Sequence, residues 1–168
     1  VEIDVAKNAI RREGEITEHR GRIICVRSRA TGNFALYPLR DKKMHRLGQA
    51  LETRDEVLLA LTQHVSPDCI VFSDAGAGIR RALKARGNPH ASVVHRRKEF
   101  ARLVRVNNKL AVCGNNMCES MFAKLKHTAR RYNLDRSRMS SNTHMKVLSC
   151  SFMAKDRTPS DILAALLD

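Results

Sequence analysis

The feature that most constrains this chain is a short apolar run, Cys69-Ile70-Val71-Phe72, in which polar and apolar positions do not alternate. A strand of that pattern is covered on both faces, which happens when helices flank a sheet on both sides. Its borders carry matching punctuation. Ser66-Pro67-Asp68 ends the preceding segment, and Ser73-Asp74-Ala75-Gly76 turns towards a short helix over 78–85, closed by Gly87 with Asn88-Pro89 beyond it. Residues 91–94 then form a second brief apolar strand. Strand, helix and strand in this order point to an α/β chain.

The remaining segments fit that class. Val1, Ile3 and Val5 alternate with Glu2 and Asp4, so residues 1–5 read as a strand, and the polar stretch Lys7 to Gly21 reads as a loop. Ile23 to Val26 and Phe34 to Leu39 are β-like runs around Thr31-Gly32-Asn33, which is an antiparallel hairpin. Met44, Leu47, Leu51, Leu58, Leu61 and Val65 fall at helical spacing, with Thr53 and Glu56 placed as a capping box that restarts the helix. Residues 95–115 read as a basic connection without clear periodicity. Cys118, Met121, Phe122, Leu125, Ala129 and Tyr132 mark an amphipathic helix, and after an irregular tail Thr158-Pro159 opens a last helix through Leu167. The expected fold is a mixed sheet of about five strands, the first three antiparallel, flanked by helices.

At 168 residues and 43% hydrophobic content, one domain with a buried core is expected. No run of 18 apolar residues and no signal-like N-terminus is present, so no membrane span is expected. Five cysteines, an odd number partly in apolar runs, suit reduced thiols in an intracellular compartment. A chain that begins with Val1 is expected to be a fragment.

Charge narrows the class of partner. The net charge is +14, and two stretches account for all of it. Residues 80–109 hold ten Lys or Arg (Arg80, Arg81, Lys84, Arg86, Arg96, Arg97, Lys98, Arg102, Arg105, Lys109) and one acid, Glu99. Residues 124–138 hold six (Lys124, Lys126, Arg130, Arg131, Arg136, Arg138) and one acid, Asp135. Segregated cations suit a polyanion, because each phosphate neutralised releases counterions. At 4% aromatic content, base stacking on single strands is disfavoured against backbone contact with a duplex. A solvated charge run is the ordinary alternative.

Few acids in this cationic chain sit where backbone elements can aim them at one point, but three do. Asp4 lies in the first strand, Asp74 follows the buried strand, and Glu119 lies in the first turn of the long helix. If the first and fourth strands are neighbours, Asp4 and Asp74 approach each other outside the strand ends. Converging carboxylates need a cation, and their hard oxygens suit Mg²⁺ or Mn²⁺, two of which can serve phosphodiester chemistry. Taken singly, each has an ordinary reading: a solvent-facing strand residue, a turn residue, and an acid favoured by a helix N-terminus. Asn116, Glu119, Ala123, Lys126 and Arg130 form one stripe on the long helix, which an exposed helical face also produces.

At these residues the chain resembles the catalytic domain of a DDE transposase, of the Merlin group of eukaryotic DNA transposons and the related bacterial insertion-sequence transposases. The resemblance runs in order over VEID at 1–4, RATGNFALYPLRDKK at 29–43, VSPDCIVFSDAG at 65–76, VVHRRKEF at 93–100 and GNNMCESMFAKLKH at 114–127. It implies a ribonuclease-H-like catalytic domain over 1–131, with 132–168 as a helical extension. It further implies Asp4, Asp74 and Glu119 as catalytic ligands of two Mg²⁺ or Mn²⁺ ions, Asn116 and His95 as accessory residues, and Lys126 as a contact to DNA. Arg130, Arg96, Arg97 and Lys98 join Lys126 as expected DNA-binding residues. The implied partner is double-stranded DNA, both transposon ends and target, bound by a homo-oligomer assembled on it. The implied reaction is strand cleavage by water followed by attack of the freed 3′-OH on target DNA, in the nucleus of a eukaryote or the cytoplasm of a bacterium. The chain departs from the family pattern at Val5, where an acid is common, and at Ala75-Gly76, where Gly and an aromatic are expected; Met121 also precedes Phe122. These departures spare the three acids.

Other chemistries are weaker. Cys113 and Cys118 with His95 and His127 lack a second close pair to complete a zinc site. No activated thiolate is marked, and Gly76 with Gly78 lacks the spacing of a nucleotide loop. The rival reading is a non-catalytic basic DNA-binding domain derived from a degenerate or domesticated transposase, and a third is an RNA-binding protein.

Overall fold

The structure is a computed structural model that describes residues 1–10, 19–43 and 52–131. The first part of the expected long helix, residues 44–51, lies outside the described residues. So do 132–168, on which the expected C-terminal extension and closing helix fall.

The elements are β1 (Glu2–Ile10), β2 (His19–Arg27), β3 (Phe34–Lys43), α1 (Arg54–His64), β4 (Val71–Asp74), α2 (Ala77–Arg86), β5 (His90–Val93), β6 (Arg102–Val106), β7 (Lys109–Cys113) and α3 (Asn116–Arg131), with a 3-10 turn at His95–Arg97. Five strands form one sheet in the order β3-β2-β1-β4-β5, and β6 pairs with β7 in a separate ribbon. β1 runs parallel to β4, and β4 parallel to β5. The connections from β1 to β2 and from β2 to β3 are too short for a parallel crossover, so the sheet is mixed. The β2–β3 turn is closed by Ser28 N–H on the Asn33 carbonyl (2.8 Å). The chain is therefore α/β. Among the described residues no helix is long and apolar enough to cross a membrane.

By compactness the chain divides into two units, one of Val1–Val5, Ile24–Ala35 and Leu51–Met121, the other of Ala6–Ile23, Leu36–Ala50 and Phe122–Asp168. The first holds the buried strand residues Ile3, Val71 and Phe72, with Val57, Ala60 and Leu61 of α1 and Ile79, Ala82 and Leu83 of α2. In the second, Ile23, Leu36, Leu39, Phe122 and Leu125 are buried.

Local chemistry explains the boundaries in the first unit. Thr53 caps α1: its hydroxyl accepts from Glu56 N–H (3.3 Å), and the Glu56 carboxylate accepts from Thr53 N–H (2.8 Å). α2 ends at Gly87, whose φ of 81° is the left-handed conformation that glycine adopts freely. α1 packs against α2. Gly78 permits the close approach, because a Cβ there would meet the Glu52 carbonyl and lie 2.8 Å from Glu52 Cγ. Buried Asn88 ties down the turn before β4, its amide donating to the carbonyls of Ser66, Pro67 and Cys69 (3.0, 2.8 and 3.1 Å).

Three expectations are corrected. The strand expected over 1–5 runs to Ile10, and β2 and β3 also extend beyond their apolar runs, because sheet pairing carries polar residues that show no alternation. Asp74 is the last residue of β4 and not the residue after it. The basic connection over 95–115 contains the β6–β7 hairpin, with Leu103 opposite Val112 and Arg105 opposite Leu110. Its turn residues Asn107 and Asn108 have φ of 50° and 60°, as a two-residue primed turn requires. Val104, Val106, Ala111 and Cys113 pack on Phe72, Ala91 and Val93, while Leu103, Leu110 and Val112 are exposed.

Candidate active site

Parallel pairing of β1 with β4 sets the first two groups. Glu2 pairs with Phe72 and Ile3 with Ser73, so the next step of the register brings Asp4 alongside Asp74. Asp4 is buried, its Oδ1 accepting from Val5 N–H (2.7 Å) and its Oδ2 from the Asn115 amide (3.0 Å). Burial, then the neighbouring Asp74 charge, pushes the Asp4 carboxyl up to about 7, with Glu119 adding to the rise. The Val5 and Asn115 hydrogen bonds oppose it. Asp4 therefore feels the charge of both other acids. Asp74 Oδ1 accepts from Gly76 N–H (3.0 Å), a local turn that aims the carboxylate beyond the strand end.

Glu119 arrives from the first turn of α3, and its side chain is 43% exposed. Its Oε1 lies 3.5 Å from His95 Nδ1. His95 Nε2 in turn lies 3.1 Å from Asn115 Oδ1. Because the Asn115 amide nitrogen donates to Asp4, its oxygen is the acceptor, which assigns the proton to His95 Nε2. A hydrogen-bonded line thus runs from Asp4 through Asn115 to His95, which extends to Glu119 when Nδ1 also carries a proton; the His95 ring also lies against Phe100 (centroids 5.5 Å apart).

The N-terminus of α3 is fixed by a group that the sequence pattern assigned to solvent. Glu2 shares a β1 face with Asp4, and that face is buried. The Glu2 carboxylate accepts from the backbone N–H groups of Met117 (2.9 Å) and Cys118 (3.3 Å) and pairs with Arg29 (2.7 Å). A carboxylate at the positive end of a helix is the arrangement that the helix dipole favours. Arg29 also donates to the carbonyls of Val112 and Gly114 and covers the Phe72 ring (4.1 Å). Glu2 and Arg29 together hold the first turn of α3, and with it Glu119, beside the strand acids.

Of the expected accessory residues, His95 joins the network and Asn116 does not. Asn116 is exposed at the first position of α3, while the adjacent Asn115, only 1% exposed, makes the bridge. Arg97, Lys98 and Lys126 are exposed. Arg96 lies in the 3-10 turn and Arg130 in α3; their side chains fall outside the described part. Cys118 donates to the Cys25 carbonyl (3.7 Å), and Cys113 sits in the apolar cluster below the hairpin. Among the described residues no three His, Cys, Asp or Glu side chains are drawn together closely enough to hold a metal ion by themselves. The donor set nevertheless suits a hard divalent ion, since Mg²⁺ keeps several waters and takes one or two carboxylates plus substrate phosphate oxygens. Comparison with protein-family models, with curated proteins and with solved structures finds no match.

Proposed function

We propose that the chain is the ribonuclease-H-like catalytic domain of a DDE transposase, which cleaves double-stranded DNA and transfers the cut strand in a divalent-metal-dependent reaction. The observation that carries this reading is Asp4 beside Asp74 on the parallel strands β1 and β4, with Glu119 of α3 near enough for its charge to act on Asp4. A five-stranded mixed sheet in the order β3-β2-β1-β4-β5, with β1, β4 and β5 parallel, supports the ribonuclease-H-like assignment. Asp4, Asp74 and Glu119 would hold the ions, Mg²⁺ or Mn²⁺. When bound, such ions activate the attacking oxygen and stabilise the leaving oxygen of a phosphodiester. The chain's own residues do the rest. Asn115 holds Asp4 and His95 in place, and Glu2 with Arg29 anchors the helix that carries Glu119. Exposed Arg97, Lys98 and Lys126 supply sequence-independent affinity for the phosphate backbone, within a chain of net charge +14.

The test is nicking of plasmid DNA in Mg²⁺ or Mn²⁺, with DNA binding measured in parallel. Asp74→Asn is expected to bind duplex as the unaltered chain does and to lose nicking. Equal residual nicking in both proteins, or none in either with duplex still bound, would favour a DNA-binding relic without a working metal site.

A further inference from the structure

We infer that Glu52 is a fourth carboxylate of this site, sharing a divalent cation with Asp74; the inference rests on the function proposed above. Glu52 immediately precedes the cap of α1 and was not among the acids that the sequence singled out. It is only 8% exposed, yet among the described residues no hydrogen bond or ion pair engages its carboxylate. The other buried acids in the same unit are partnered, Glu2 by Arg29 and two backbone N–H groups, Asp4 by Val5 and Asn115. A largely buried residue whose carboxylate no protein group pairs is open to a cation.

The surroundings supply the space for one. A Cβ on Gly76 would lie 2.8 Å from Glu52 Oε1 and 3.0 Å from Asp74 Oδ1. Both carboxylate oxygens, with Ile79 Cδ1 at 3.4 Å, therefore border the one point that the missing side chain of Gly76 keeps free. Gly78, against which the Glu52 Cγ and carbonyl are pressed, keeps the acid in that position. Two carboxylates are sufficient for Mg²⁺, because water and substrate phosphate oxygens complete its octahedron. A merely structural Glu52, placed near the start of α2 for its dipole, predicts a change in stability on substitution and none in metal affinity.

The experiment is an equilibrium Mn²⁺ titration of the metal-free full chain with duplex DNA present, free Mn²⁺ being read by electron paramagnetic resonance. The unaltered chain is compared with Glu52→Gln, Gly76→Ala and Asp4→Asn, each checked for folding by near-ultraviolet circular dichroism. Glu52→Gln is expected to weaken one Mn²⁺ at least tenfold. Gly76→Ala keeps every charge but fills the open volume, and it is expected to do the same, so the test stands even if Glu52→Gln folds poorly. Wild-type Mn²⁺ affinity in both variants, with loss in Asp4→Asn, would overturn the role of Glu52 and leave the proposed function intact. No Mn²⁺ bound by the unaltered chain would overturn both.

Discussion

Ionisation of the buried Asp4 destabilises the folded chain as pH rises. Burial and the Asp74 charge push its carboxyl up to about 7 in the folded chain, against about 3.9 for a free aspartate. A raised acid binds its proton more tightly in the folded state, so the folded state is penalised wherever the unfolded chain has already ionised. The penalty begins as pH rises above the unfolded value and is complete above the folded one. It amounts to about 4 kcal/mol at pH 8, of which about 2 to 3 kcal/mol develops between pH 5 and 8. Asp4→Asn removes the titration and can keep the line to His95 if the Asn115 amide turns over. Urea unfolding in chelator at pH 5, 6.5 and 8 should therefore show the variant gaining on the unaltered chain by about 2 to 3 kcal/mol across that interval. Added Mg²⁺ should narrow the gap at pH 8 by stabilising only the chain that retains Asp4. Parallel stability curves from pH 5 to 8 would refute the claim that burial and the Asp74 charge disfavour ionisation of Asp4.

Three further outcomes follow from the packing and the charge. Glu2→Ala leaves Arg29 without its carboxylate and strips two N–H groups at the start of α3, and should cost about 3 to 5 kcal/mol in urea unfolding. Gly78→Ala, despite the better helix propensity of alanine, should destabilise by about 1 to 3 kcal/mol because its methyl meets Glu52; thermal unfolding checks the sign. Replacing Arg97 and Lys98 together by alanine should flatten the dependence of log affinity for duplex DNA on log salt by about 2, measured by fluorescence anisotropy.

Much of the scaffold was legible because local chemistry decided it. The non-alternating run at Cys69–Phe72, the Thr53/Glu56 box and the glycine at 87 each have one economical solution, and each is realised within a residue or two. Convergence of Asp4 and Asp74 was legible for the same reason, since two parallel buried strands have few other arrangements. Residues 102–113 were misread because Leu103, Leu110 and Val112 are exposed, so hydrophobicity did not report burial there. The signal present was a pair of short, β-branched-rich apolar runs on either side of Asn107-Asn108, two residues that tolerate the left-handed conformation as glycine does. Glu2 and Asn115 were not legible at all. Both owe their roles to the docking of α3 on β1 across more than a hundred residues of sequence, which no local pattern encodes. Glu52 escaped notice because a lone acid before a helix cap has an ordinary explanation until its burial and missing partners are seen.

The central claim is that Asp4, Asp74 and Glu119 converge to hold divalent metal for chemistry on DNA. The most direct measurement is calorimetric titration of Mn²⁺ into the chain with duplex DNA at pH 7.5, repeated for Asp74→Asn. Binding by the unaltered chain that is lost in the variant is the predicted result. Equal Mn²⁺ binding by the two, or none by either, would contradict the claim.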